Sequence, residues 1–410
     1  MDFVGEKIAN RLGGKNFDPS KKSYKFMKIK SAKAELKLKY PDAKIIDLGV
    51  GEPDIQADSK VVDVLCNEAG KIENRWYADN GIQEFKDAAA KYLKRVYGIC
   101  NVDPNNEIMH GIGSKPILAM IPLCFINSGD VILTTVPGYP VIANHTRYLG
   151  GEVYNLPLYK ENNYYPDFSN IPDDILKRAK LLYINYPNNP TGQVATREFY
   201  EEVIDFAKRN DIFVISDASY SALTFDDYKP LSFLSVDGAK EVGAEVYSLS
   251  KAFNMTGWRL AFIVGNKRFI DLYADVKSTI DSGQFIAIQK AGICALNNVD
   301  ITHNNCERYS RRHDLLVCAL REVGFDVTKP KATFYCYAPI PKGTKCGKIF
   351  TNAEDASSYI LENAFISTVP WDDAGAFLRF SVTFEAKDYE EEKKIVDEVK
   401  ERLLKLELVF

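Results

Sequence analysis

Histidine, tryptophan and methionine are scarce in this chain, with four, three and five copies among 410 residues. The four histidines (His110, His145, His303 and His313) show no metal-ligand spacing, which argues against a metal centre. Eight cysteines (Cys66, Cys100, Cys124, Cys294, Cys306, Cys318, Cys336 and Cys346) include no Cys-x-x-Cys pair. That excludes the common redox and zinc motifs, and the expectation is free, buried thiols. Long apolar runs are missing too. The longest, Ile117 to Ile126, is broken by Pro122 and is too short to span a bilayer. Neither sign of charge dominates, since 52 basic against 56 acidic residues leave a net −4. Such a balance argues against nucleic acid or an anionic membrane as partner. The start, Met1-Asp-Phe-Val-Gly-Glu-Lys7, has no apolar core of a signal peptide and no cleavage site. The expected location is therefore cytoplasmic.

What is present is ordinary globular material, 46% hydrophobic and 26% charged, enough for one large and one smaller domain. Residues 1–45 are rich in lysine (Lys21, Lys22, Lys25, Lys28, Lys30, Lys33) around Tyr24 and Phe26. They read as an N-terminal arm that joins part of the small domain or packs on a partner subunit. From 46 to 295, short β-branched runs alternate with longer helical patterns. Examples are 130–135, 180–185, 212–217, 246–250 and 260–264. Continuous apolar strands between helices predict an α/β fold, with a mainly parallel central sheet and helices on both faces. Residues 296–410 carry a polar helix (305–323), strands at 333–338 and 377–382, and a charged final helix (389–406), which predicts a smaller α+β domain.

In a parallel sheet the chemistry gathers at the carboxyl ends of the strands, and several polar motifs fall there. Asp217 ends the strand 212–217, and Tyr220 follows by three residues. A helix cap explains such an aspartate equally well. Asn188-Asn-Pro-Thr-Gly192 follows the strand 180–185, and as a turn it needs no further explanation. Gly111-Ile-Gly-Ser-Lys-Pro116 precedes a helical pattern, so its backbone N–H groups, with Ser114 and Lys115, suit an anion. Pro137-Gly-Tyr-Pro140 sets Tyr139 in a stiff loop, where an aromatic ring can stack on a planar group. Arg379 lies within the apolar strand Leu378-Arg-Phe-Ser381, and a buried guanidinium calls for a carboxylate partner, from substrate or from the protein.

The most informative stretch is Ser248-Leu-Ser-Lys-Ala-Phe-Asn-Met-Thr-Gly-Trp-Arg259. A lone lysine is usually a solvated charge. Here Lys251 sits among Ser248 and Ser250, with Arg259 eight positions on. Hydroxyls and a guanidinium fork suit a phosphate. A lysine near other positive charge, or in a desolvated pocket, loses its proton readily and can attack an aldehyde. Both requirements are met by pyridoxal phosphate.

Taken in order, Gly-Ser-Lys, Pro-Gly-Tyr-Pro, Asn-Pro-Thr-Gly, Asp-x-x-Tyr, Ser-x-Ser-Lys, Arg and Leu-Arg-Phe resemble the fold-type I pyridoxal-phosphate aminotransferases of classes I and II, over nearly the whole chain. The resemblance implies that Lys251 is the Schiff-base lysine and proton shuttle. It implies that Asp217 pairs with the ring nitrogen, and that Asn189 and Tyr220 bind the ring's 3-oxygen. Tyr139 would stack on the ring, Ser114, Ser248 and Arg259 would hold the phosphate, and Arg379 would grip the α-carboxylate. Lys115 and Ser250 count among the cofactor contacts. Tyr77, in Arg75-Trp-Tyr-Ala-Asp-Asn-Gly81, would reach the neighbouring subunit's phosphate, which implies a homodimer with shared active sites. Gly51, in Leu48-Gly-Val-Gly-Glu-Pro-Asp54, matches a substrate-side turn.

Gly113-Ser-Lys-Pro116, Thr135-Val-Pro-Gly-Tyr-Pro-Val141, Asp281 to Lys290 and Ser367 to Gly375 resemble more narrowly the LL-diaminopimelate aminotransferases of the archaeal and bacterial branch. This implies amino transfer between LL-diaminopimelate and 2-oxoglutarate, giving tetrahydrodipicolinate and glutamate, in lysine biosynthesis. Tyr24 resembles that group's N-terminal substrate-side tyrosine. Glu52 and Lys115 are the expected readers of the substrate's distal ammonium and carboxylate. One departure stands out: the better-known branch has an asparagine where this chain offers Ser282-Gly-Gln284, whose role stays open. The same fold serves alanine, aspartate and aromatic aminotransferases and β-eliminating lyases, so fold alone does not choose the substrate. A ligand-sensing regulator would need an appended DNA-binding domain, for which the N-terminal segment is too short.

Overall fold

The computed structural model describes residues 2–18 and 25–410. Its centre is a seven-stranded sheet made of β2 (Ile108–Gly111), β3 (Val131–Val136), β4 (Glu152–Pro157), β5 (Ala179–Asn185), β6 (Phe213–Asp217), β7 (Gly243–Ser248) and β8 (Ala261–Gly265). The spatial order is β2-β8-β7-β6-β5-β3-β4. Strands β4, β3, β5, β6 and β7 pair in parallel, while β8 runs antiparallel to both β7 and β2. The expected parallel sheet is present with this one reversal. Its cause is local: a parallel neighbour needs a crossover helix, and the connection between β7 and β8 holds only the short helix Leu249–Ala252 and a 3₁₀ turn at Thr256–Trp258.

Both faces of the sheet are buried, which explains the near-continuous apolar strands. Along β5, Leu182 and Ile184 enter one core while Leu181 and Tyr183 enter the other. The first core is covered by helices Gln83–Tyr97, Arg197–Asn210 and Ile286–Asn297, through Phe85, Leu93, Phe199, Val203 and Ala291. The second is covered by helices Ser114–Phe125, Val141–Tyr148 and Lys267–Ser278, through Ile117, Ile121, Ile142 and Phe269.

A third core brings together Ile46, Leu48, Leu316, Leu320, Phe334, Ile360, Phe380, Val399 and Leu403. Around it lie the long helix Asp300–Val323, the helices Ala353–Ala364 and Tyr389–Leu404, and a three-stranded antiparallel sheet. That sheet orders β12 (Val369–Trp371), β13 (Phe377–Ser381) and β9 (Tyr335–Pro339). The two-residue β1 (Ile46–Asp47) pairs in parallel with β11 (Ile366–Ser367), and β10 (Gly343–Thr344) pairs with β14 (Leu408–Val409). Ile46 and Leu48 thus pack with C-terminal residues, although the sequence pattern groups 46 onward with the large sheet. The helix Lys25–Lys39 precedes β1, and Leu36 is buried on it.

The cysteines are free, but the expectation that they are buried fails for most of them. Cys66, Cys100, Cys318 and Cys346 are exposed, and only Cys336 is fully buried. Composition says nothing about which face of an amphipathic helix a thiol takes. No helix among the described residues is long and apolar enough to cross a membrane.

Candidate active site

A cavity of about 560 Å3 opens where the carboxyl ends of β5, β6 and β7 face the small antiparallel sheet. Gly51, Glu52, Ser114, Lys115, Tyr139, Asn189, Asp217, Tyr220, Ser248, Ser250, Lys251, Arg259 and Arg379 all line it. The structure therefore brings these predicted residues together from segments more than 300 positions apart. Two predicted residues are not among them. Tyr77 is 85% exposed and does not line this chain's own cavity. Tyr24 lies outside the described residues.

Each wall follows from local structure. Ser114 begins the helix Ser114–Phe125 directly after Gly113, so the first free N–H groups of that helix turn to the cavity. Gly113 adopts φ +86°, ψ 156°, a conformation that side-chain-bearing residues avoid. A Cβ there would stand 2.2 Å from Arg259 Nη2, so the missing side chain makes room for the guanidinium. Ser248 ends β7, and its Oγ accepts from Ser250 N, starting the short helix that carries Lys251. This is why Ser250, expected in the strand, stands in a helical turn. Arg259 sits at φ +58° and donates from Nη1 to Thr256 O at 2.6 Å. Ser114, Ser248, Ser250, Thr256, Arg259 and the helix start together make a cluster of hydroxyl, guanidinium and N–H donors, which is the chemistry of a phosphate cradle.

At the cavity floor, Asp217 accepts from Ser219 Oγ at 2.6 Å, from Ser219 N at 3.1 Å and from Tyr183 OH at 3.0 Å. Burial pushes its pKa above the ordinary carboxylate value, and these hydrogen bonds only partly offset it. A carboxyl group in this setting gains from a cationic N–H placed against it. Asn185 braces the same corner: its Nδ2 donates to Asp217 O at 2.8 Å and its Oδ1 accepts from Asn189 N at 3.0 Å.

Lys251 Nζ donates to Gly51 O at 2.7 Å. Burial lowers its pKa to about 8, Arg259 and Arg379 push the same way, and Glu52 opposes them. The neutral, nucleophilic amine is thus accessible near neutral pH. Across the cavity the buried Arg379 donates to Asn189 Oδ1 and to Gly49 O, both at 2.8 Å, and lies 4.0 Å over the Tyr335 ring. Tyr335 also hydrogen-bonds Tyr220 through the two hydroxyls at 2.7 Å. A Cβ on Gly51 would meet the Tyr335 hydroxyl at 2.2 Å, which accounts for glycine at that turn.

Sequence reasoning missed Tyr183, Asn185, Ser219, Thr256 and Tyr335, which brace the predicted residues, and Lys30, Lys33 and Asp47 at the mouth. Lys33 and Asp47 form an ion pair there, and Asp47 Oδ1 accepts from Gly49 N. Ser219 was within reach, two residues past Asp217 in an Asx-turn arrangement. The others are ordinary residue types in strands, in the N-terminal helix or, for Thr256, in the 3₁₀ turn between β7 and β8. Gln284, left without a role by the sequence, accepts at Oε1 from His110 Nε2 at 3.1 Å and donates from Nε2 to Trp258 O at 2.6 Å. It stands outside the cavity, next to the Ala78–Gly283 bridge that holds the Tyr77 loop.

Comparison with known proteins agrees with this geometry. The profile described as aminotransferase class I and II matches residues 43–392. The chain belongs to the class I and II aminotransferases. This aminotransferase is 55% identical, over the whole of its length and 99% of the relative's, to the LL-diaminopimelate aminotransferase of Methanocaldococcus jannaschii. It is 53% identical, with the same coverage, to that of Methanococcus maripaludis. Among solved structures, substrate-bound BacF from Bacillus subtilis superimposes with a TM-score of 0.86 at 34% identity, covering 95% of this chain and 96% of that one. The cofactor is pyridoxal phosphate. The residues present fit it: a phosphate-type donor cluster at one end, the buried Asp217 at the other, and the amine of Lys251 between them. When bound, the cofactor supplies an electron-withdrawing ring that stabilises negative charge at a substrate's α-carbon.

Proposed function

We propose that the protein transfers an amino group between LL-diaminopimelate and 2-oxoglutarate, giving tetrahydrodipicolinate and glutamate, in lysine biosynthesis. For the chemistry, the carrying observation is Lys251, an amine with its pKa lowered to about 8 on the wall shared by Arg259 and Arg379. For the substrate, it is full-length likeness above 50% identity to relatives of that name.

The residues take the following parts. Lys251 Nζ would hold the cofactor, and as a free amine it would accept the proton from the substrate α-carbon. Arg379 binds the α-carboxylate through its guanidinium fork, oriented by Asn189 and Gly49 O. Asp217 would keep the ring nitrogen protonated, Asn189 and Tyr220 would hold the ring oxygen, and Tyr139 would lie against the ring. Ser114, Lys115, Ser248, Ser250 and Arg259 hold the phosphate end. At the mouth, Glu52 and Lys115 read the distal ammonium and carboxylate. Two substrates pass through one site in turn, so the kinetics are ping-pong.

The enzyme works as a cytoplasmic homodimer in which Tyr77 enters the partner's site. The exposure of Tyr77, with Trp76 at 62% and Ile72 at 70%, supports that reading. Residues 46–295 serve as the cofactor-binding unit, apart from 46–48, which pack with the smaller unit formed by 296–410 and the N-terminal arm.

The test is a half-reaction panel. Cofactor-loaded enzyme is mixed with LL-diaminopimelate, meso-diaminopimelate, glutamate, alanine, aspartate, tyrosine or cystathionine, and the cofactor's visible absorbance is followed. Conversion by LL-diaminopimelate and glutamate alone is expected. Conversion mainly by alanine, aspartate or tyrosine discards the substrate and keeps the chemistry. Pyruvate release from cystathionine without an acceptor marks a lyase. Lys251→Ala abolishes turnover; retained activity in it overturns the assignment of the amine.

A further inference from the structure

Three buried charges hold the loop that faces Lys251. Arg312, fully buried on the helix Asp300–Val323, donates from Nη2 to Asp54 Oδ2 at 3.0 Å and from Nε to Glu392 Oε1 at 2.8 Å. Its Nη1 donates to Val382 O and Phe384 O. Tyr309, one turn earlier on the same helix, donates to Asp54 Oδ1 at 3.2 Å. Asp54 is thereby fixed through both carboxylate oxygens, and its side chain is 1% exposed.

Burying an ion pair removes both charges from water, and well-packed apolar residues often stabilise a fold as well or better. A stability role alone therefore explains this network poorly. Its placement explains it better. Asp54 closes the loop 49–54, whose carbonyls hold two of the site's cations: Gly49 O accepts from Arg379, and Gly51 O accepts from Lys251. Between them Val50 O accepts from Thr383 Oγ1 at 2.8 Å. Pro53 fixes its own φ and restricts Glu52 before it, so the short path from Asp54 to Gly51 is stiff.

We propose that Asp54, Arg312 and Tyr309 are positioning residues for the reaction, setting the loop so that the Gly49 and Gly51 carbonyls orient Arg379 and Lys251. The inference rests on the assignment of Lys251 and Arg379 made above. Neither Asp54 nor Tyr309 touches the cavity, so each acts through the loop. A loosened Gly51 carbonyl no longer favours the ammonium form of Lys251, and the amine's pKa moves down. A loosened Gly49 carbonyl lets Arg379 swing, and the KM of every amino-acid substrate rises.

The experiment compares Asp54→Asn, Tyr309→Phe and Glu392→Gln as full-length, cofactor-loaded enzymes. Circular dichroism melts give Tm, and kcat and KM are measured across pH. Tyr309→Phe removes one hydrogen bond and no charge, so a moved pH profile cannot be a long-range charge effect. Glu392→Gln weakens the far side of the network and leaves the Arg312–Asp54 contact. Expected results are a lower Tm in all three. In Asp54→Asn, and more weakly in Tyr309→Phe, the acidic limb of kcat moves to lower pH and KM rises severalfold. In Glu392→Gln the profile stays in place. A purely structural network predicts lower Tm with unmoved profiles, or profiles that move in proportion to Tm in all three variants, and either result overturns the proposal. If Asp54→Asn does not fold, Tyr309→Phe alone decides. Failure of the underlying assignment looks different, because Lys251→Ala then retains turnover.

Discussion

Replacing Gly113 with alanine separates two costs that most active-site substitutions mix. The first is backbone strain: φ +86°, ψ 156° belongs to a region nearly exclusive to glycine, and forcing alanine into it costs about 1–3 kcal/mol. That cost falls equally on the cofactor-free and cofactor-bound forms, so it lowers stability and leaves affinity alone. The second is displacement. The new methyl would lie 2.2 Å from Arg259 Nη2, and the guanidinium must retreat from the phosphate cradle. Losing a hydrogen bond to a charged group costs about 1.5–3 kcal/mol. This cost appears only when the phosphate is bound, so the cofactor's Kd rises about 10- to 150-fold. Gly129→Ala is the control, because Gly129 has φ +89° and nothing within 4 Å of the added carbon. It shares the positive φ and lacks the displacement. The assay is titration of cofactor-free enzyme with pyridoxal phosphate, followed by protein fluorescence, beside urea melts. If Gly113→Ala binds within twofold of wild type, or if Gly129→Ala weakens binding equally, the cradle is misplaced.

Three further expectations concern charge. Glu52 raises the pKa of Lys251, so Glu52→Gln takes the amine below its present value near 8, and cofactor attachment to the apoenzyme proceeds at lower pH; stopped-flow absorbance against pH shows the shift or its absence. Burial raises the pKa of Asp217 above its ordinary 3.8, so the folded apoenzyme binds this proton more tightly than the unfolded chain. Its contribution to stability is present below that ordinary value and is lost as pH rises through the folded pKa. Urea midpoints of the apoenzyme therefore fall relative to Asp217→Asn as pH climbs past about 4, and parallel curves refute this. Arg379→Lys keeps a positive charge and loses the fork, so kcat/KM for amino-acid substrates drops about 10- to 100-fold, and a change below threefold would show that the guanidinium does not hold the carboxylate.

Several residues that line the cavity were legible because they are unusual where they stand. An arginine inside an apolar strand, a lysine in a serine-rich turn and an aspartate at the end of an apolar strand each break the local pattern. The bracing residues do not. Tyr183 and Asn185 lie in β5, and Tyr335 in β9, where tyrosine and asparagine pass for core or turn residues; only their distances to Asp217 and Arg379 give them parts. Likewise the mouth depends on Lys33 meeting Asp47 across two elements that sequence periodicity treats separately. Helix and strand identities were readable from period and length. The reversal of β8 and the pairing of β1 with β11 were not, since each depends on which strand lies beside which.

That reversed strand sets a scale inside the molecule. Strands β7 and β8 form a hairpin, and its loop alone carries Lys251, Thr256 and Arg259, with Ser248 at its root. On the proposed assignment, the grip on the aldehyde end and that part of the phosphate grip are separated by a few residues of one chain segment. The spacing of Lys251 and Arg259 is a built-in ruler, set by the local backbone geometry of that loop. Arg379 comes from the other sheet and has no such ruler. On the proposed assignment, a movement of that sheet would change the reach to the substrate while leaving the Lys251–Arg259 spacing as it is.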